Sequence, residues 1–222
     1  MGTVGLLYVG AVLFVNGLML LGLVEGKAAA PINLFVGALQ VVTPTYLIFV
    51  ANGDSTKILA ASGLYLFGFT YLYVGIGLLA GLDSTGVGYF SLFVAICALG
   101  YSWANFTLAG DPAFGVIWLY WAFLWTLFFV LLGLKRESLA RYTGLVTVIQ
   151  AWVTAAIPAF VLLTQPALPG YTAVVLAVFG VLVFGALVPL ARHHVDKDGA
   201  HTPTPPADRP APPADRPAVP AG

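Results

Sequence analysis

Phe114, Trp118, Trp121 and Trp125 are spaced i, i+4, i+7, i+11 within one long apolar run. On a helix of 3.6 residues per turn they fall within an arc of roughly 60°. Membrane proteins usually keep tryptophan near the headgroups, whereas this row runs about three turns into the apolar core. A stripe of flat ring faces turned into a helix bundle makes a narrow slot. The chemistry such a slot supports is selection of small, planar, uncharged molecules. The competing reading is helix packing with aromatics filling gaps.

A polar stripe repeats the same spacing: Thr143, Thr147, Gln150 and Thr154, ending one turn before Pro158. Neutral polar residues in a membrane bundle commonly hydrogen-bond between helices, at about 0.6 kcal/mol per contact. Four in register, with a glutamine at depth, also read as a polar lane. Gln150 offers one carbonyl acceptor and two N–H donors, which match the donor and acceptor edges of an amide or urea. Tyr65, Phe69 and Tyr73 form a further aromatic row at i, i+4, i+8, and Leu6 and Leu13 share a face at i, i+7. Asn33 and Gln40 share a face with Gly37 between them, and Asn16-Gly17 interrupts the first apolar run.

The elements that must carry these stripes are membrane helices. The 222 residues are 60% hydrophobic and 8% charged, with mean hydropathy +0.95; soluble domains carry about 25% charged residues. A span needs about 20 apolar residues, and seven runs qualify: 3–24, 31–50, 58–81, 88–109, 113–134, 142–163 and 171–191. Turn chemistry or charge separates them, as at Asn52-Gly53-Asp54, Gly110-Asp111-Pro112 and Lys135-Arg136-Glu137. The runs are too long for barrel strands and do not alternate. The expected fold is an all-α integral membrane protein, a compact bundle of seven transmembrane helices. The first run has no Lys or Arg and reads as a retained helix rather than a signal peptide.

Basic residues set the orientation. Lys27, Lys135, Arg136, Arg141, Arg192, Lys197, Arg209 and Arg216 fall on one side, and only Lys57 on the other. The N-terminus is expected outside and the C-terminus in the cytoplasm. Residues 193–222 are Pro- and Ala-rich, with Pro-Pro-Ala-Asp-Arg-Pro twice, and read as a disordered cytoplasmic tail.

Absences exclude function classes. None of the nine basic and nine acidic side chains sits near the middle of a run, and His193, His194 and His201 lie in or beside the tail. Ion-coupled transporters and proton pumps usually carry an intramembrane ionisable group. No catalytic nucleophile with its base, metal cluster or phosphate loop is present, so no enzyme, cofactor, metal site or nucleic-acid partner is expected. Cys97 stands alone in an apolar run. A seven-helix retinal receptor would need a Schiff-base lysine in the last run, which has none.

Six segments in order resemble the AmiS/UreI family of bacterial urea and amide channels, over roughly residues 4–163. They are Leu6-Leu7-Tyr8-Val9-Gly10 with Asn16-Gly17, Asn33-Leu34-Phe35-Val36-Gly37, and Leu66-Phe67-Gly68-Phe69-Thr70-Tyr71-Leu72-Tyr73. Then come Tyr89-Phe90-Ser91-Leu92-Phe93-Val94-Ala95-Ile96, Ile117-Trp118-Leu119 with Trp121 and Leu124-Trp125, and Ala151-Trp152 through Ile157-Pro158-Ala159. The resemblance implies a six-helix channel core (1–165), here followed by a seventh helix (166–192), and a homohexamer in the bacterial inner membrane. It implies two aliphatic and aromatic constrictions, lined by Leu6, Leu13, Phe69, Tyr73, Phe114, Trp118, Trp121, Leu124 and Trp125, with Gln150 in the pore.

Three departures stand against the acid-opened urea channels of that family. Their gating uses histidines and carboxylates in long outer loops. Here those loops are short and carry no histidine, only Asp54 and Asp111. Gln150 stands where those channels have a carboxylate, and Phe114 where they have tryptophan. The seventh helix is additional. The expectation is a passive, not acid-gated channel for urea or short-chain amides, with membrane lipids around it and a functional link to a cytoplasmic amidase or urease. The alternative is an ion-coupled secondary transporter of amides.

Overall fold

The computed structural model describes residues 2–192. In chain order the helices are α1 (Gly2–Leu20), α2 (Gly26–Val50), α3 (Ser55–Ala80), α4 (Thr85–Ala104), α5 (Pro112–Phe128), α6 (Ala140–Gln150), α7 (Ile157–Thr164) and α8 (Thr172–Arg192). Three π-helical turns extend or join them: Asn105–Ala109 after α4, Phe129–Gly133 after α5, and Ala151–Ala156 between α6 and α7. Together they give seven segments long and apolar enough to cross a membrane, with α6 and α7 sharing the span Glu137–Thr164. Among the described residues there is no strand. The expected seven-helix all-α bundle is the observed one. The expected tail falls outside the described residues.

Local chemistry sets the ends. Asp54 caps α3 by accepting from the backbone N–H groups of Thr56 at 3.0 Å and Lys57 at 3.1 Å, donors that a helix start leaves unpaired. Asp111 caps α5 through the N–H of Phe114 at 3.0 Å, and Pro112 follows where its missing N–H costs nothing. Gly81 ends α3 at φ 66°, in the left-handed region. Pro31 is the first residue of the expected second run, yet α2 begins at Gly26 and carries Pro31 and Pro44 inside it. A proline so near a helix start removes only a bond of the first turns.

Consecutive helices are neighbours, and the α6–α7 span returns against α1, closing a ring of six spans. The seventh, α8, lies outside the ring on α5 and α6, held by Tyr120 Oη donating to the Leu176 carbonyl and Tyr142 Oη to that of Phe184. Large side chains such as Phe35, Phe49 and Val181 cover the outer surface, which suits lipid. Inside the ring, the buried polar residues among those described are all neutral.

Closure depends on small residues of α1. A Cβ on Gly10 would lie 2.9 Å from the Ala151 carbonyl oxygen and from the Ala156 backbone nitrogen, and one on Gly17 would crowd Val148. Backbone atoms cannot step aside. Gly10→Ala is therefore expected to destabilise the bundle by about 1–3 kcal/mol, read as earlier thermal unfolding in detergent. Gly77→Ala, which meets nothing within 4 Å, serves as the unaffected control.

Candidate functional site

The tryptophan row faces inward. Trp118, Trp121 and Trp125 are buried, and Phe114 is partly buried. A cavity of about 450 Å³ opens at the end of the ring where α1 begins. Leu6, Leu47, Tyr101, Phe114, Trp118 and Trp121 form its wall, with Lys57, Asn105 and Asp111 also lining it. A second cavity of about 70 Å³ lies toward the other end, lined by Leu13, Asn16, Thr70, Tyr71, Ser91 and Trp125 among others. The two share no residue. The aromatic row thus runs from the wall of one cavity to the wall of the other.

Rings fill the space between. Phe67 lies edge-on to Trp121 (centroids 4.7 Å apart) and to Trp125 (5.1 Å), and tilted against Trp118 at 5.6 Å. Trp118 meets Trp121 at 4.9 Å and 83°, while Tyr101 stacks on the other side of Trp118 at 4.6 Å. Edge-to-face contacts follow from the aromatic quadrupole and hold rings at set angles. Two indole N–H groups are anchored: Trp121 Nε1 donates to Thr154 Oγ1 at 3.1 Å, and Trp125 Nε1 to Thr70 Oγ1 at 3.4 Å.

Helix α3 turns a different face to the interior than expected. Phe69 and Tyr73 are 50% and 38% exposed on the outside of the bundle, whereas Phe67 and Tyr71 are each 1% exposed. Two residues along a helix are a rotation of about 200°. The inward face of α3 is Gly63, Phe67, Thr70 and Tyr71, and Phe69 stacks on Tyr65 instead. The within-helix periodicity of aromatics fits either face. The i+4 spacing of Phe67 and Tyr71 was an equally available signal.

The polar stripe of the sixth span is fully buried, and its members line neither cavity. Thr147 and Thr154 hydroxyls donate back to the carbonyls of Thr143 and Gln150 at 2.6 Å each. Gln150 is 0% exposed with neither amide atom hydrogen-bonded, and the Thr143 and Tyr71 hydroxyls also lack partners. Gln150 is one turn from Thr154 on a helix antiparallel to α5, so it sits at the level of Trp125. The π-turn Ala151–Ala156 starts immediately after it and ends just before Pro158. Proline's missing N–H and ring clash loosen that stretch of ladder, and such bulges recur at functional sites. Leu13 lies at this level too, between Gly10 and Gly17, which contact the same stretch of the sixth span. Leu124 is buried in the core without lining either cavity.

One further residue enters that sequence reading placed on a face but not at a site: Gln40 of α2, 0% exposed with both amide atoms unpaired. An unpaired buried amide costs about 1–3 kcal/mol. Asn16 and Asn33, by contrast, satisfy one another reciprocally at 2.9 and 2.7 Å and pin α1 to α2.

The family model for AmiS/UreI family transporters matches residues 1–166. The chain belongs to the AmiS/UreI family. It is 63% identical over 164 residues to a Rhodococcus erythropolis protein named as the transporter AmiS2, covering 74% of this chain and 80% of that one. It is 54% identical over 193 residues to a Mycolicibacterium smegmatis protein named for transport of amidate substrates, covering 86% and 91%. The acid-activated urea channel of Helicobacter pylori strain J99 is 34% identical over 189 residues, 72% of this chain and 96% of that one. The cryoEM structure of the Helicobacter pylori urea channel in its closed state superposes with a TM-score of 0.68 at 34% identity, over 76% of this chain and all of that one. This AmiS/UreI member is thus a multi-pass protein of the bacterial inner membrane and belongs to a family of transporters. The family match ends at residue 166, before α8.

Proposed function

We propose that this protein is a passive channel for urea and short-chain aliphatic amides such as acetamide and formamide, open without acid. The observation that carries the reading is the buried row from Trp118 to Trp125 between two cavities, in an interior whose buried polar groups, among the described residues, are all neutral. A flat neutral solute enters the larger cavity, sheds water against the rings, and meets amide and hydroxyl groups in place of that water. Gln150 and Tyr71, whose side-chain polar atoms have no partner in the protein, supply hydrogen bonds to a solute at the level of Trp125. Thr143, Thr147 and Thr154 stand on the same face of the sixth span as Gln150. Past the cavity mouth, where Lys57 and Asp111 stand, an ion meets no counter-charge among the described residues, and its desolvation blocks it. Leu6 and Leu13 complete the two constrictions. Rotamer changes of Phe67 and the tryptophans open the stretch between the cavities. The basic-residue bias supports an outward-facing larger cavity and a cytoplasmic C-terminus. By analogy within the family the protomers assemble as a homohexamer, and an amidase or urease in the cytoplasm consumes the solute.

The loops support a channel without an acid sensor: the outer ones carry no histidine, only Asp54 and Asp111. Asp54 accepts from the Lys57 backbone N–H and so stays below the usual carboxylate range. At the other end of the bundle the Lys135 ammonium, 2.8 Å away, together with Thr85 holds the Asp83 carboxyl well below that range. A depressed carboxylate contributes when charged, and that contribution is lost only as pH falls through the lowered pKa. For these two groups the loss lies below about pH 4. Imidazole is the group that titrates near neutrality, and the three histidines are at 193, 194 and 201.

Stopped-flow swelling of proteoliposomes with urea, acetamide, glycerol and water tests the proposal. Amide flux is expected to be unsaturated, unchanged by collapsing proton or sodium gradients, and equal within about twofold between pH 5 and 7.5. Flux that vanishes with the gradient favours the coupled transporter. Flux that rises steeply toward pH 5 restores acid gating.

A further inference from the structure

We infer that Gln40 is a second solute-contacting group of the passage, an amide at the level of the outer constriction that pairs with the N–H and C=O edges of the permeating amide. The inference rests on the channel reading and deepens it. Gln40 is seven residues from Leu47 on α2, hence on the same face about two turns deeper, and Leu47 lines the larger cavity. Its backbone carbonyl packs on Gly68, next to Phe67, whose ring meets Trp118, Trp121 and Trp125. On α1 its amide nitrogen lies against Gly5, beside Leu6 of the same cavity wall. Gln40 itself lines neither cavity; its side chain lies directly behind the wall of the larger one, between Gly5 of α1 and the backbone beside Phe67, and a solute reaches it when the Phe67 and tryptophan rings turn.

Two properties separate it from a packing residue. Neither its Nε2 nor its Oε1 has a hydrogen-bond partner although the side chain is fully buried, whereas Asn33 on the same helix face is fully bonded. A leucine there would pack as well without the unmet groups. A passing amide would satisfy both atoms at once, because it presents an acceptor and a donor side by side, as Gln40 does. Gln40 and Gln150 then mark two stations, one at Trp121 and one at Trp125. Splitting dehydration between two weak sites favours entry and exit alike.

The test uses the full chain in proteoliposomes. Gln40→Leu is expected to lower urea and acetamide permeability roughly tenfold, the loss of about one neutral hydrogen bond, with water permeability unchanged. Gly5→Ala places a Cβ 2.8 Å from Gln40 Nε2, the movable end of a flexible side chain. It should lower amide flux by a smaller factor alone and add nothing in the Gln40→Leu background, since the two act through one group. A merely structural Gln40 would change water and amide flux together, or neither. If wild type passes amides down a gradient while Gln40→Leu matches it, the inference falls and the channel stands. If wild type passes no amide without an ion gradient, the channel reading itself falls. Gln40→Met is the near-isosteric alternative if the leucine variant misfolds, and failure of both to fold would make Gln40 structural and overturn the inference.

Discussion

Trp121→Ala widens the passage and admits larger amides: permeability to butyramide relative to acetamide is expected to rise by on the order of tenfold or more. The indole of Trp121 walls the larger cavity, meets Phe67 and Trp118, and is fixed by its N–H on Thr154. Size discrimination in an apolar slot changes by roughly 10–200-fold per methylene, so removing a whole bicyclic ring moves the profile strongly. The same change costs about 3–5 kcal/mol of stability. Trp121→Phe separates the two effects: it keeps a flat wall, loses the bond to Thr154, and should retain most of the size profile. Liposome swelling with graded amides reads both. An unchanged profile for Trp121→Ala would remove the ring from the passage.

Phe67→Ala and Phe69→Ala should differ sharply. Phe67 touches three tryptophans and is 1% exposed; its loss is expected to cost about 3–5 kcal/mol and to raise water and urea permeability together by opening the closed stretch. Phe69 meets Tyr65 on the outer surface, and its replacement should leave flux unaltered within about twofold, with stability within about 0.5 kcal/mol. Equal effects, or the reverse order, would return the α3 face to the reading based on Phe69 and Tyr73. Thermal unfolding in detergent and stopped-flow swelling measure the two quantities separately.

Membrane helices are unusually legible. A span must satisfy its own backbone and be about 20 apolar residues long, so the seven spans and their Asp, Gly and Pro boundaries follow from local composition. The inward turn of α5 has a different basis: indole N–H groups have no partner in hydrocarbon, and those of Trp121 and Trp125 find hydroxyls inside the bundle. Family membership was legible too, from six short segments in order. Helix α3 shows the limit. It is apolar and aromatic all round, with Phe67 and Tyr71 on one side and Phe69 and Tyr73 on the other, and in a membrane hydrophobicity does not distinguish lipid from core. Only the close approach of Gly68 and Gly75 to α2 and of Gly63 to Trp118 rotates it.

The amides teach the same lesson in another way. Composition and spacing determined that this chain carries neutral polar groups and no charge at depth, because burying an unpaired charge is too costly to leave unmarked. Which of those groups are spent on the fold was decided by tertiary contacts. Asn16 and Asn33 face one another and are satisfied, Thr154 is taken by Trp121, and Gln40 and Gln150 are left with nothing. A hydrogen bond between helices depends on the rotation and height of both partners. Those are set by glycines such as Gly5, Gly10 and Gly17 meeting a neighbour that one strand of sequence does not name.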